Sequence, residues 1–247
     1  MLKVSIITTT FNSQNTILDT MKSVSKQTYQ NIEHVIIDGN STDNTLSIIN
    51  QNKINNAIIV SEPDNGIYSA FNKGLHNATG DIVGFLNSDD FFSYNEAIQD
   101  VVSCLSNNRC DSIYADLQYV QKNTIRKVVR NWKSGTYNRK KLKYGWMPPH
   151  PTFYMKKKNY TQLGGFDETL KVSADYDAML RYLWLEKISC CYLPKCVVTM
   201  RLGGHSNKNI KNILIKMNDD IKSLKKNNIP WPFALIIKNI TKIPQFF

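Results

Sequence analysis

The sequence predicts an α/β protein, a Rossmann-like mixed sheet flanked by helices, with a helical C-terminal extension. Three observations carry this. Through the first hundred residues, short β-branched runs alternate with helical stretches, the pattern of a parallel sheet covered on both faces. Past residue 110, alternating apolar and polar runs joined by short turns announce antiparallel strands. Acidic residues also recur just after the early strands, at the edge where ligands of such sheets bind.

The elements follow in order. Lys3–Thr8 is the first strand and Thr16–Lys26 the first helix. His34–Asp38 is the second strand, and STDNTLSIINQN opens a helix capped by Asp43. Asn56–Glu62 is a strand, Gly66–Ala78 a helix and Asp81–Asn87 the fourth strand. SIYADLQYV and TIRKVVRNW form an antiparallel pair, and PPHPTFYM brings a strand out of a Pro-rich loop. NYTQLGGFDETL ends a helix at Gly164 or Gly165. Ser173–Lys187 reads as one helix, with Met179, Leu180, Leu183 and Trp184 on its apolar side.

With 247 residues, 42% of them hydrophobic, the chain can build one large core. Its start, MLKVSIITTTFN, is too quickly polar for a signal peptide, and no run approaches the ~20 apolar residues of a membrane span. The five cysteines are odd in number and lack CxxC pairing, so they read as reduced, mostly buried residues of a cytoplasmic protein. A zinc site would need histidines at ligand spacing, which are missing near them. The net charge of +11 calls for anionic partners. It gathers in Arg126–Lys143 and from Lys208 onward, leaving the first hundred residues nearly balanced. For any one cluster, a solvated basic face is the equal alternative.

The strand edge holds the chemistry. In DIVGFLNSDDFF, Asp89 and Asp90 are adjacent. Like charges repel, and burying either alone is costly, so a distant basic residue or a bound cation must hold them. Thr9 and Asn12 follow the first strand, Asp38 ends the second and Asp64 follows the third. All share one predicted edge.

VSIITTTFN, QTYQNIEHVIIDGNSTDNT, SEPDNGIYSAFNKGL, ATGDIVGFLNSDD, LGGFDETL and ADYDAMLRY run in order through residues 4–182. This ordered set resembles the family 2 glycosyltransferases, enzymes of the GT-A fold, and within them the subgroup that builds bacterial surface polysaccharides such as O-antigen or capsule. The resemblance implies inverting transfer of a sugar from a nucleotide-diphosphate donor, a UDP-sugar, to a hydroxyl of a saccharide or lipid-linked saccharide. It places Asp38 and Thr9 at the nucleotide base, with Asn12, Asp64, Lys73 and Asp89 in the same nucleotide-sugar site. Asp64 reads equally well as a turn-stabilising Asx residue, and Lys73 as a lone surface lysine. By the same match Asp90 ligates a divalent metal, Mn²⁺ or Mg²⁺, and Asp89 meets the ribose, the metal or both. Ser88 replaces an acid often found there, and His205 is a further metal-ligand candidate. Asp175 becomes the general base, with Ala174 where the family often has Glu. Asp177, the rival, reads as an N-terminal helix charge. His150 and Trp146 fall on the acceptor side, Trp146 with core packing as its equal alternative.

The expected organisation is a catalytic domain over 1–205, with a nucleotide-sugar-binding half (1–110) and an acceptor-binding half (111–205), then a basic helical extension over 206–247. The tail IPWPFALIIKNITKIPQFF, apolar and lysine-flanked, suits the inner face of the cell membrane and a polyprenyl-diphosphate-linked acceptor. Docking on its own catalytic domain, or on a second copy in a homodimer, is the alternative. Two other functions compete. Ser69, Ser88 and Ala174 depart from the family pattern and fit a nucleotide-sugar binder without turnover. The charge alone fits a nucleic-acid binder, which the carboxylate-lined edge opposes. No GxGxxG follows the first strand, against a dinucleotide dehydrogenase.

Overall fold

The structure, a computed structural model, describes residues 1–122, 124–203 and 210–240. Four strands, β1 (Val4–Thr10), β2 (Ile32–Asp38), β3 (Ala57–Ser61) and β4 (Ile82–Phe85), pair in parallel. Helices α1 (Ile17–Ser25), α2 (Thr45–Asn52) and α3 (Ile67–Asn77) connect them. The rest of the sheet is β5 (Phe91–Phe92), β6 (Ser112–Gln121), β7 (Thr124–Trp132), β8 (Tyr154–Lys156) and β9 (Cys190–Arg201). The order is β3-β2-β1-β4-β8-β6-β9-β5, with β7 pairing β6 off that path. One mixed sheet therefore carries both halves of the chain, and β1–β4 end on the same edge.

Every residue of β1 and β2 is buried, polar ones included. Burial of Ser5, Thr8, Glu33 and His34 is tolerable because they pair across the strands, whereas the buried Thr10 hydroxyl has no partner among the described residues. Ser5 Oγ donates to Glu33 Oε1 at 2.5 Å, Lys3 Nζ lies 2.5 Å from Glu33 Oε2, and Thr8 Oγ1 is 2.9 Å from His34 Nε2. Burial pushes the His34 imidazole down to about 4. Below its ordinary value near 6.5 the unfolded chain takes up a proton that the folded chain refuses, so stability falls as pH drops from about 6.5 to about 4. The expected loss over that whole window is on the order of 3 kcal/mol. Glu33, held down to about 2 by the Lys3, Ser5 and Thr79 bonds against its burial, loses its contribution only below about pH 4.5. Denaturant melts of His34→Gln at pH 7 and pH 5 should show a flatter pH slope than the parent; parallel slopes would assign the loss elsewhere.

The hairpin β6–β7 and the strand after the Pro-rich loop form as the pattern predicts. Two short 3₁₀ turns, Arg139–Tyr144 and His150–Thr152, shape that loop. Three elements lacked a sequence assignment: β5, α4 (Ala97–Asn107), which covers the opposite sheet face, and β9. Next, α5 (Lys157–Leu163) ends at Gly164, whose φ of 81° only glycine adopts readily. The single helix expected over Ser173–Lys187 divides into α6 (Ala174–Met179) and a π-helical turn, Leu180–Leu185. The five cysteines are unpaired but only half-buried, short of the expected burial, and desolvation pushes Cys190 up to about 12.

At the C-terminal end, α7 (Ile210–Lys226) packs on α6, and α8 (Trp231–Ile240) packs on α7 and the 139–144 turn. Ala234, Leu235 and Lys238 of α8 face inward, whereas Phe233 and Ile236 are exposed. The tail thus docks on its own chain as far as Ile240; residues 241–247 lie outside the described residues. Among the described residues, no helix is long and apolar enough to cross a membrane.

Candidate active site

The loops beyond β1, β2, β3 and β4 knit into one wall. Asn12, at φ 49°, accepts the Thr42 N–H at 2.9 Å through Oδ1, and its own N–H donates to Ser41 Oγ at 2.8 Å. Asp38 is fully buried and accepts from Ser41 N–H (2.9 Å), Ser41 Oγ (2.5 Å) and Ser61 Oγ (2.7 Å). It therefore holds the turn after β2 against the end of β3, and of its roughly four lone-pair sites only about one is left for a ligand. Thr9 is buried one residue before the end of β1. Asp64 Oδ1 accepts the Gly66 N–H at 2.8 Å, the Asx arrangement, and Oδ2 lies against Gly39, where a Cβ would stand 2.8 Å away. The Lys73 ammonium bonds the Pro63 carbonyl and Glu62, each at 2.8 Å. Those contacts brace the Asp64 loop.

The paired acids past β4 differ from each other. Asn87, Ser88 and Asp89 are half-buried, whereas Asp90 is 1% exposed. Asp90 Oδ2 accepts from Asn87 Nδ2 at 3.1 Å, and Oδ1 has no hydrogen-bond partner among the described residues. Burial, then the adjacent Asp89 charge, raises the Asp90 carboxyl well above the usual range. The sequence puts a metal first on Asp90; burial leaves Asp89 the more open of the two.

The basic residue beside these acids is Arg201, at the end of β9 and 6% exposed. Its Nη1 donates to the Asp89 carbonyl at 2.7 Å, Nη2 pairs with Asp19 of α1, and the guanidinium lies 5.2 Å from the Phe91 ring centroid. Ser88 Oγ meets Ser13 Oγ at 2.9 Å, and the Thr20 hydroxyl donates to the Asp90 carbonyl at 2.7 Å. Sequence reasoning missed Arg201. Its one signal was a cation closing the apolar run VVTM.

Asp175 sits half-buried in the first turn of α6. Its Oδ1 accepts the Tyr176 N–H at 2.9 Å and the Tyr68 hydroxyl at 3.2 Å. Tyr68, in the first turn of α3, also donates to the Val172 carbonyl at 2.5 Å. Burial and the Asp175 charge raise its phenol, so it remains a donor. Tyr68 lay within the motif EPDNGIY, but no role had been read for it. Asp177 turns away: it is 0% exposed and accepts from Asn227 Nδ2 at 3.0 Å. It stands in the first turn of α6, as a helix-end charge does, and is also a buried structural acid held by Asn227, just past α7, and by Lys226 of α7 at 3.6 Å.

His150 is buried between Phe85 (5.1 Å), Phe71 (5.4 Å) and Phe166 (5.5 Å), measured between ring centroids. Desolvation lowers its pKa, and the Asp175 charge opposes that shift, so the two residues lie within electrostatic reach. Trp146 packs edge-on against Tyr114 at 5.7 Å and carries Lys141 over its ring at 5.8 Å, within an aromatic cluster. Contacts therefore join Asp64 to Gly39, beside Asp38, and to Gly66 at the start of α3; Tyr68 of that helix reaches Asp175, and His150 stacks on Phe85 of the strand that leads into Asp89. His205 lies outside the described residues.

A hard divalent cation fits this donor set. Mg²⁺-type sites take one or two carboxylates and complete their shell with water and substrate phosphate. Here two adjacent carboxyl groups stand at the strand edge, one with an orphaned buried oxygen. Among the described residues, no group of three or more His, Cys, Asp or Glu gathers as an all-protein cage.

Comparison with known proteins fits the geometry. The chain is 31% identical over 180 residues to the uncharacterized glycosyltransferase MT1564 of Mycobacterium tuberculosis, spanning 72% of this chain and 68% of that protein. It is 32% identical over 123 residues to the Escherichia coli protein named UDP-Glc:alpha-D-GlcNAc-diphosphoundecaprenol beta-1,3-glucosyltransferase WfgD, spanning 49% of this chain and 48% of WfgD. The S. aureus TarS 1–349 structure in complex with UDP-GlcNAc matches with TM-score 0.72 at 21% identity, over 90% of this chain and 67% of that one. This likeness establishes the GT-A fold. Residues 5–170 match Glycosyl transferase family 2, and the chain belongs to that family.

Proposed function

We propose that this glycosyltransferase moves a sugar from a UDP-sugar to a hydroxyl of a saccharide or polyprenyl-diphosphate-linked saccharide, with inversion, in surface-polysaccharide assembly. The observation that carries the reading is the Tyr68–Asp175 hydrogen bond of 3.2 Å. It joins the first turn of α3, which follows the donor-side loop after β3, to the first turn of α6. On this reading the nucleotide-binding acids and a carboxylate base serve one site. The UDP-sugars named for WfgD and TarS support the donor class.

In this mechanism Asp38, Thr9, Asn12 and Asp64 wall the nucleotide pocket. Asp89, with Asp90 behind it, would hold Mn²⁺ or Mg²⁺, which when bound supplies Lewis-acid stabilisation to the leaving diphosphate. Asp175 does the proton work. Tyr68 and the Tyr176 N–H fix its Oδ1, and Oδ2 takes the proton of the acceptor hydroxyl. The freed oxygen attacks the anomeric carbon from the face opposite the diphosphate. The bond to the leaving oxygen breaks with its electron pair, and the centre inverts. His150, kept neutral by burial, and Trp146 shape the acceptor side.

The exposed Phe233 and Ile236, with Tyr144 at 6.0 Å from Phe233 and Lys225 over Trp231 at 5.4 Å, support contact with an acidic lipid surface. Sedimentation with phosphatidylglycerol vesicles, lost in Phe233→Ser/Ile236→Ser, checks this contact; a variant that sediments like the parent refutes it. For the reaction, thermal melts against a panel of nucleotide sugars, with and without Mn²⁺, are the test. At a hundredfold excess over Kd, the true donor should raise Tm by roughly 5–10 °C. A panel in which no nucleotide sugar shifts the melt defeats the reading.

A further inference from the structure

The charged groups of the C-terminal helices are buried more deeply than a solvated extension requires. Asp219 and Asp220 of α7 are each 3% exposed, and Lys238 of α8 is 5% exposed. Taking ions out of water is expensive, so their partners matter. Asp219 Oδ2 accepts the backbone N–H of Lys171 at 2.9 Å and of Val172 at 3.0 Å. The Val172 carbonyl receives the same Tyr68 hydroxyl that reaches Asp175 Oδ1. Asp220 Oδ1 lies 2.9 Å from Lys238 Nζ, and that ammonium stands 3.2 Å from the centroid of the Tyr176 ring. Tyr176, through its N–H, bonds Asp175 Oδ1. Two separate arms from the extension therefore converge on one carboxylate oxygen.

We propose that α7 and α8 form the positioning element of the base. Asp219, through the amides of residues 171 and 172, and the Asp220–Lys238 pair, through Tyr176, hold the Asp175 carboxylate where the acceptor hydroxyl arrives. This rests on Asp175 being the base. Charge-assisted bonds to two successive amides fix a turn more tightly than neutral ones. A displacement of about 1 Å at a reacting group can lower a rate by about a hundredfold. Asp219, Asp220 and Lys238 touch no substrate; they act through Asp175.

The test uses the full chain, a donor identified by the thermal panel, and three variants. Asp219→Asn keeps an acceptor oxygen for the two amides, and Asp219→Ala removes it. Asp220→Asn/Lys238→Met removes both charges without stranding either. Asp219→Ala and the double variant should lose roughly 10- to 100-fold in kcat. Donor KM and calorimetric affinity for UDP should stay within about twofold of the parent, and Asp219→Asn should stay within a few-fold in kcat. Should Asp219→Ala fail to fold, the double variant gives the same reading. Parent-like kcat in Asp219→Ala, or in the double variant where that one does not fold, overturns the proposal. So does a loss that Asn fails to rescue, or one that falls equally on kcat and UDP affinity. A parent chain that transfers no sugar overturns the assignment of Asp175 and this inference with it; an active parent with an indifferent Asp219→Ala overturns the positioning role alone.

Discussion

Asp175→Asn is expected to slow sugar transfer by roughly 10²- to 10⁴-fold, the range a positioned general base contributes. The amide keeps the shape of the side chain and an acceptor oxygen for the Tyr176 N–H and the Tyr68 hydroxyl. What it loses is the ability to take a proton. Melting temperature and UDP affinity should therefore stay near the parent's, which separates a chemical defect from a folding one. Steady-state transfer rates with the identified donor check this. A variant within a few-fold of the parent would remove Asp175 from the proton transfer, and Asp177 could not replace it, because that residue is enclosed by α7 contacts.

The second large effect is expected at Asp89. Asp89→Asn leaves the backbone carbonyl free to receive Arg201, so the loop after β4 should keep its course. The half-buried carboxylate, however, is gone. The extra thermal stabilisation that Mn²⁺ gives to bound UDP should disappear, and transfer should fall by about 10²-fold or more, the several kcal/mol of a lost Lewis acid. Stripping metal from the parent with EDTA should reproduce both results, and added Mn²⁺ should restore the parent but not the variant. Unchanged Mn²⁺ dependence in Asp89→Asn would move the ligand to Asp90, whose carboxyl lies deeper in the loop.

Much of this site could be read before any coordinates, for a physical reason. Thr9, Asp38, Asp64 and Asp89 each stand within a few residues of the end of a strand in a parallel set. Strand polarity alone brings such residues to one edge, so local pattern was enough. Arg201, Asp219 and Lys238 could not be found that way. Each acts on a partner 18 to 182 residues away, as with Lys238 on Asp220 or Arg201 on Asp19, and no periodicity encodes such pairs. Strand β9 escaped notice because Pro194 and Lys195 break its alternation. In the fold, a register shift against β6 at Ala115–Leu117 absorbs the interruption. The π turn after α6 was equally hidden, since the apolar spacing of Leu180, Leu183 and Trp184 satisfies an ordinary helix.

The shared hydroxyl of Tyr68 has a kinetic consequence. It answers at once to the Val172 carbonyl and to the Asp175 carboxylate, and its helix begins directly after the Asp64 turn. Under the proposed function, a sugar nucleotide seated on that turn would bear on the start of α3 and through Tyr68 on Asp175. Compulsory-order addition with the sugar nucleotide leading is then the expected kinetic pattern, and product inhibition by UDP that is competitive with the donor checks it.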